Sequence, residues 1–177
     1  MLYYIHGYKS TPTSIKGTLF QTELNARAID YHAGKPEDLD LDAARHHIAD
    51  AIRGDDNPIL IGSSFGGFLG AKVALEYSIV RKLVLLNPAI IPPRANIERL
   101  RGIPKRILVQ MRDDLIFTRR IVAETTILMA TQDEVIPPEW ILDFAMAQEA
   151  TVRFLHDNHS FSNNLTKLPR IISEIVD

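Results

Sequence analysis

Short apolar runs alternate with longer amphipathic segments along the chain, which is the pattern of β-strands that are joined by α-helices. Six apolar runs bounded by turn-forming residues predict strands at residues 2–5, 26–31, 58–61, 82–86, 126–130 and 151–155. Strands that alternate with helices in this way pair in parallel, because each helix carries the chain back to the starting edge of the sheet. The sequence therefore predicts an α/β fold with a mostly parallel sheet of about six strands.

Helices are predicted where apolar residues recur every three or four positions. In residues 40–52 these positions have the spacing of one buried helix face. They are Leu41, Ala44, Ile48 and Ile52. Residues 68–77, 139–147 and 168–176 predict further helices.

The segment 91–124 is less regular, because Pro92 and Pro93 interrupt it near its start. Farther on, Ile107, Leu108 and Met111 share one helix face that could cover an apolar pocket. We expect this segment to form a small helical lid. An ordinary crossover helix between two strands is the open alternative.

Length and composition narrow the classes of protein that fit. A chain of 177 residues predicts one domain over residues 1–177, and its 46% hydrophobic and 24% charged residues are typical of soluble proteins. No apolar stretch has the length of a membrane span and no secretory signal is visible, so a cytoplasmic location is expected. A net charge of −2 argues against nucleic acid as a partner. The absence of cysteine excludes a thiolate nucleophile and cysteine-ligated metals.

A candidate nucleophile follows the third predicted strand. Residues 62–67 read Gly-Ser-Ser-Phe-Gly-Gly and stand between an apolar run and a predicted helix. This is the context of a Gly-x-Ser-x-Gly nucleophile elbow, in which the central serine occupies a strained turn between two glycines. Ser64 has that central position. Ser63 is a weaker alternative, and a catalytically inert glycine-rich turn is the remaining one.

A serine hydroxyl needs a base and a group that orients the base. Asp133 follows the fifth predicted strand and is the preferred carboxylate, ahead of Glu134, Asp113 and Asp114. His159 lies in the loop after the last predicted strand and is preferred as the general base over His156, which is close to the strand end.

The order Ser64, Asp133, His159 along the chain is the order of nucleophile, acid and base in α/β-hydrolases. Such an enzyme also needs N–H donors for the oxyanion of the tetrahedral intermediate. The backbone N–H of Phe65, directly after the nucleophile, is one candidate. The N–H of Tyr8, after the first predicted strand, is the second, whereas His6 is expected to pack structurally.

Together these stretches resemble the α/β-hydrolase superfamily, in particular its small bacterial esterases. The resemblance is carried by His6-Gly7-Tyr8, the elbow at residues 62–67, Leu86-Asn87-Pro88-Ala89, Asp133-Glu134-Val135 and His159-Ser160-Phe161. It implies a three-layer αβα sandwich around a doubly wound, mostly parallel sheet that lacks the first two strands of the superfamily, and activity on short acyl esters. The segment 91–124 matches least well.

The expected function is therefore a serine carboxylesterase that acts on a small-molecule acyl ester through an acyl-enzyme, without a cofactor or a metal. Thioesterase, acyltransferase and peptidase activities use the same three residues and remain alternatives. A ligand-binding module without catalysis is the alternative from another class.

Overall fold

A single sheet of parallel strands organises the computed structural model, which describes residues 1–177 apart from the side chain of Arg99. The strands are β1 (Leu2–Ile5), β2 (Arg27–Ile29), β3 (Ile59–Ser63), β4 (Lys82–Leu86), β5 (Glu124–Gln132) and β6 (Thr151–Asn158). They lie in the order β2-β1-β3-β4-β5-β6, and every neighbouring pair is parallel. This is the doubly wound order that the resemblance implies.

Helices cover both faces of the sheet. They are α1 (Ile15–Leu24), α2 (Leu41–Ile52), α3 (Phe65–Glu76), α4 (Lys105–Met111), α5 (Leu115–Thr118), α6 (Pro138–Gln148) and α7 (Leu168–Val176). Helices α1 and α7 pack with Tyr4, Val84 and Leu128 on one face. Helices α2 to α6 share a second apolar cluster with Leu60 and Leu85 on the other face. The predicted three-layer αβα sandwich is confirmed.

The strand order places a crevice at one edge of the sheet. The chain turns from β1 toward β2 on one side and from β3 toward β4 on the other, so β1 and β3 flank the point at which the winding reverses. Connections leave in opposite directions there, and the carboxyl ends of the two strands open a space between them. Loops that follow β1, β3, β5 and β6 meet at this edge.

Three strands are longer at their carboxyl ends than the sequence predicts. Strand β3 continues to Ser63, β5 to Gln132 and β6 to Asn158. Asp133 and His159 are therefore the first residues after their strands, and His156 lies within β6. The remaining differences at the predicted strand ends are small.

Helix α1 is absent from the sequence prediction, for a physical reason. Its residues form no apolar stripe, since Ile15 is 74% exposed while Phe20 and Gly17 are buried. Ser14 caps it by accepting a hydrogen bond from the N–H of Gly17 at 3.3 Å. Phe20 then contacts the ring of Tyr4 edge to face, with centroids 5.1 Å apart.

The segment 91–124 connects β4 to β5 and contains α4 and α5. Its apolar side chains join the core beside α3 and α6, among them Ile107, Met111 and Ile121. Gln148 of α6 fixes the end of the segment, accepting from the N–H of Ile121 at 2.8 Å and donating to the carbonyl of Ile116. This geometry favours the crossover interpretation, and a lid stays a prediction. Within the described residues no helix is both long and apolar enough to cross a membrane.

Helix α7 provides a direct test of the packing. Ile172 is fully buried against the sheet, whereas Ile15 of α1 is mostly exposed. Ile172→Ala is expected to lower the free energy of unfolding by about 2–4 kcal/mol, because it removes buried apolar area and leaves a cavity. Ile15→Ala should change it by less than about 0.5 kcal/mol. Urea unfolding followed by circular dichroism measures both, and equal losses in the two variants would contradict this account of the core.

Candidate active site

Ser64 lies at the sharp turn between β3 and α3, where the backbone is strained. Its φ of 54° and ψ of −118° belong to a region that residues with side chains rarely adopt. Main-chain hydrogen bonds hold this turn on both sides. The Ser64 N–H donates to the carbonyl of Leu86 at 2.9 Å, and the Ser64 carbonyl accepts from the N–H groups of Gly67 and Ala89, both at 2.9 Å.

Glycine is required on both sides of this turn by close packing. A Cβ on Gly66 would lie 2.2 Å from the carbonyl oxygen of Ile5 and 2.4 Å from that of His6. A Cβ on Gly62 would lie 2.6 Å from the carbonyl oxygen of Gly66. All three distances are far shorter than a van der Waals contact. The first turn of α3 therefore reaches the end of β1 only because Gly66 has no side chain, and the elbow closes on itself only because Gly62 has none.

The structure brings Ser64, Asp133 and His159 together from three separate loops. The Nε2 atom of His159 is 3.0 Å from the Oγ of Ser64, and its Nδ1 is 2.8 Å from one carboxylate oxygen of Asp133. Asp133 also accepts hydrogen bonds from the N–H groups of Val135 and Ile136, and its side chain is 2% exposed. An Nδ1–H that donates to Asp133 leaves Nε2 free to accept the hydroxyl proton of Ser64.

Two polar side chains fix the backbone of His159 itself. The amide of Asn87 donates to the carbonyl of His159 at 3.1 Å and accepts from the N–H of Ala130 at 2.7 Å, which ties the histidine to the end of β5. A carboxylate oxygen of Glu134 accepts from the N–H of His159 at 3.0 Å. From the sequence alone, Glu134 is only a substitute acid and Asn87 has no role beyond the resemblance.

Asp157, the residue before Asn158 at the end of β6, organises the rest of this loop. It is fully buried and accepts from the N–H groups of Asn158, Asn163 and Asn164 and from the side-chain amide of Asn164, at 2.8–3.1 Å. A buried carboxylate that accepts several hydrogen bonds is a strong local constraint. Asp157 therefore holds the loop after His159 in one conformation, a role the sequence analysis misses.

The competing nucleophile and base lie apart from this arrangement. Ser63 is buried at the end of β3, with 5% of its surface exposed. His156 is exposed on β6, and the Nδ1 of its ring is 3.4 Å from the hydroxyl of Thr131. Neither residue contacts the Ser64 hydroxyl in the described structure.

The substitute acids in the segment 91–124 are also remote. Asp113 forms an ion pair with Lys72 of α3 and caps the N–H of Leu115. Asp114 is the residue before α5. Both belong to the helical layer rather than to the carboxyl edge of the sheet.

His6 packs as a structural residue, as the sequence analysis expects. Its ring stacks on Tyr31 with centroids 4.4 Å apart, and its Nδ1 is 3.0 Å from the carbonyl of Gly7. Burial lowers the pKa of His6, which favours the neutral ring at pH 7. The hydroxyl of Tyr31 donates to the carbonyls of His6 and Gly7, so this pair fixes the loop that follows β1.

Two backbone N–H groups near Ser64 belong to the turns that follow β1 and β3. Phe65 is the first residue of α3, and the N–H groups of a first helical turn have no partner within their helix. Tyr8 follows Gly7 in the loop after β1, and in the described structure its N–H has no acceptor. These are the two donors that the sequence analysis nominates for an oxyanion.

Two adjoining cavities open at this edge. One, of about 600 Å³, has Ser64 and His159 in its wall. The other, of about 700 Å³, is lined by His6, Tyr31 and His32. The loop 8–11 contributes to both walls and so separates them. None of the residues that line the cavity at Ser64 comes from the segment 91–124.

Residues 1–175 match the family model described as Uncharacterised protein family (UPF0227). No curated protein that was compared matches the chain. Solved structures match over nearly its whole length. The alpha/beta hydrolase domain-containing protein 10 from mouse is 18% identical, with a TM-score of 0.80 over 99% of this chain and 89% of that one.

Two further structures carry names of enzymes. Est1E from Butyrivibrio proteoclasticus, solved with ferulic acid bound, is 20% identical, with a TM-score of 0.75 over 98% of this chain and 86% of that one. A monoacylglycerol lipase from Paleococcus ferrophilus is 17% identical, with a TM-score of 0.78 over 98% of this chain and 92% of that one. At these identities the likeness establishes that the chain has the α/β-hydrolase fold.

The buried carboxylate at Asp157 predicts a pH-dependent contribution to stability. Burial raises its pKa, but the hydrogen bonds from Asn163, Asn164 and Asn158 outweigh burial and lower the pKa below the ordinary value of 3.8. A depressed pKa in the folded state stabilises the fold above the unfolded-state value, and this contribution is lost as the pH falls through the folded-state pKa.

Asp157→Asn is expected to lower the free energy of unfolding by about 2 kcal/mol at pH 7, because an amide replaces a carboxylate that accepts charge-assisted hydrogen bonds. The midpoint temperature of thermal unfolding, measured from pH 7 to about pH 3, should also fall less steeply below about pH 4 in the variant than in the native protein. Asp56→Asn, at an exposed aspartate, is the matched control. Parallel pH profiles for the native protein and Asp157→Asn would contradict the assignment.

Proposed function

We propose that this chain, which belongs to Uncharacterised protein family (UPF0227), is a serine hydrolase that cleaves small carboxylic esters. The observation that carries the proposal is the His159 imidazole, which lies 3.0 Å from the Ser64 hydroxyl and 2.8 Å from the Asp133 carboxylate. A serine, a histidine and a carboxylate in this chain of hydrogen bonds form the constellation that performs acyl transfer. In this proposal residues 1–177 act as one domain.

The reaction begins when the Ser64 Oγ attacks the ester carbonyl while His159 Nε2 takes the hydroxyl proton. The imidazolium that forms is stabilised by the carboxylate of Asp133, which stays ionised. The tetrahedral intermediate collapses, and His159 returns the proton to the departing alcohol. Water then attacks the acyl-enzyme in the same way, with His159 as base, and releases the acid and free Ser64.

The negative charge of the tetrahedral intermediate needs two N–H donors that are fixed in advance. In this proposal the backbone N–H groups of Phe65 and Tyr8 bind it. Support comes from the contact of Gly66 with the end of β1, since this contact sets the first turn of α3 beside the loop that contains Tyr8. Phe65 lies in the first turn of α3, and the hydroxyl of Tyr31 fixes the loop that contains Tyr8, so little reorganisation accompanies the charge that develops.

The names of similar structures agree with an ester as the substrate. Est1E has ferulic acid bound, and the Paleococcus protein is a monoacylglycerol lipase. A cavity of about 600 Å³ at Ser64 has the volume expected of a small-molecule site. The proposed reaction uses no cofactor, because the nucleophile, the base and the oxyanion donors all belong to the chain.

The test is covalent labelling with a fluorophosphonate probe, together with hydrolysis of a para-nitrophenyl ester. Ser64→Ala should abolish labelling and lower turnover by at least about 1,000-fold, since the nucleophile is lost. Ser63→Ala, the adjacent serine, is the matched control and should still label. Full labelling and turnover in Ser64→Ala would refute the proposal, and a protein that only binds ligands would not label at all.

A further inference from the structure

The wall of the cavity at Ser64 has an unbalanced charge. Its lining includes two lysines, Lys9 and Lys16, and the residues that line it include no aspartate or glutamate. The chain as a whole has a net charge of −2, so this wall differs in sign from the protein around it. A cavity lined by charge of one sign attracts ligands of the opposite charge.

Lys16 is the lysine with the more specific position. It is partly buried in the first turn of α1, on the wall that also includes Ser14. Among the described residues its ammonium group has no hydrogen bond and no ion pair. The charge of Asp157 attracts it, but the carboxylate of Asp157 already accepts hydrogen bonds from Asn158, Asn163 and Asn164.

The fold gains little from a lysine at this place. Burial lowers the pKa of Lys16, and the attraction of Asp157 offsets this only in part, so the charged form is held at a cost. The first turn of α1 contains no acidic residue, and a cation there opposes the helix dipole. Both effects would be relieved by an anion that binds beside Lys16.

Lys9 contributes differently. It is exposed, its ammonium lies 5.8 Å from the ring centroid of Tyr8, and it lines both adjoining cavities. An exposed lysine on a flexible stem adds to the positive field but discriminates weakly between ligands. The position of Lys16 in the wall of the cavity that also contains the reacting serine therefore decides the inference.

We propose that the substrate of this site is an ester that carries a negatively charged group, a carboxylate or a phosphate, and that Lys16 binds this group while the ester carbonyl lies at Ser64. The inference rests on the proposed serine hydrolase function. It identifies a class of substrate and makes Lys16 a specificity-determining residue.

The test compares esters that differ only in charge. On the acyl side, mono-para-nitrophenyl glutarate is matched by the para-nitrophenyl ester of glutaramic acid. On the alcohol side, para-acetoxybenzoate is matched by para-acetoxybenzamide, and para-acetoxyphenyl phosphate separates a phosphate from a carboxylate. The quantity measured is the ratio of kcat/KM for the anionic ester to that for its neutral match.

Lys16→Met should lower this ratio by about 10-fold or more for at least one anionic ester, because a charge-assisted interaction is lost. Lys16→Arg, which keeps the charge, should retain most of the ratio. Lys105→Met, which removes an exposed lysine outside the cavity, is the control and should leave it within about twofold. High salt should lower the ratio in the native protein and have little effect in Lys16→Met.

A ratio that stays within about twofold in folded Lys16→Met for every anionic ester would overturn the inference while the hydrolase proposal stands. Circular dichroism and thermal unfolding establish that each variant is folded. Absence of Ser64-dependent turnover for all of these esters would overturn the proposed function, and the inference with it.

Discussion

The candidate site depends on the close contact between the first turn of α3 and the end of β1. Gly66 approaches the carbonyl oxygens of Ile5 and His6 so closely that no side chain fits between them. This contact fixes the elbow at Ser64 against the loop after β1, at the point where the winding of the sheet reverses. The backbone strain at Ser64 persists because two hydrogen bonds hold the turn in place, one from the Ser64 N–H to the carbonyl of Leu86 and one from the N–H of Ala89 to the Ser64 carbonyl.

The histidine is held by a second set of constraints that differ in kind from packing. Asp133 fixes its ring, while Asn87 and Glu134 fix its backbone carbonyl and N–H. Asp157 then orders the loop that follows. Because β5 and β6 end at Gln132 and Asn158, both loops start directly at the sheet edge and have little freedom. His159 lies on a loop, but these contacts fix its position as firmly as that of a residue on a strand.

Hydrophobic periodicity predicts the sheet, its parallel pairing and most of its helices, because burial against a sheet imposes that periodicity. It misses α1, whose residues form no apolar stripe and whose place is set by Phe20 and the cap at Ser14. It also leaves the segment 91–124 undecided, since an apolar helix face fits a lid and a crossover equally well. Only the partner of that face distinguishes them, and here the partner is the core.

The residues of the candidate site also differ in whether the sequence predicts them. Ser64, Asp133 and His159 can be predicted because each stands in a local context, a strand end or a glycine turn, that restricts its role. Asn87 and Asp157 act through main-chain hydrogen bonds, some of them to residues that are distant in sequence, and no spacing rule reveals such bonds. The resemblance includes Leu86-Asn87-Pro88-Ala89, yet it does not tell what the asparagine contacts.

The charged side chains near the site differ in whether they have hydrogen-bond partners within the protein. The acidic residues near the histidine, Asp133, Glu134 and Asp157, all accept hydrogen bonds from protein N–H groups, so their charges are satisfied internally. Lys16 has no such partner and lies on the wall that an ester must approach. The carboxylates have hydrogen-bond donors as partners and the Lys16 ammonium has no partner. The cavity therefore has a net positive field. Such a field favours substrates with a negatively charged group that can bind the Lys16 ammonium.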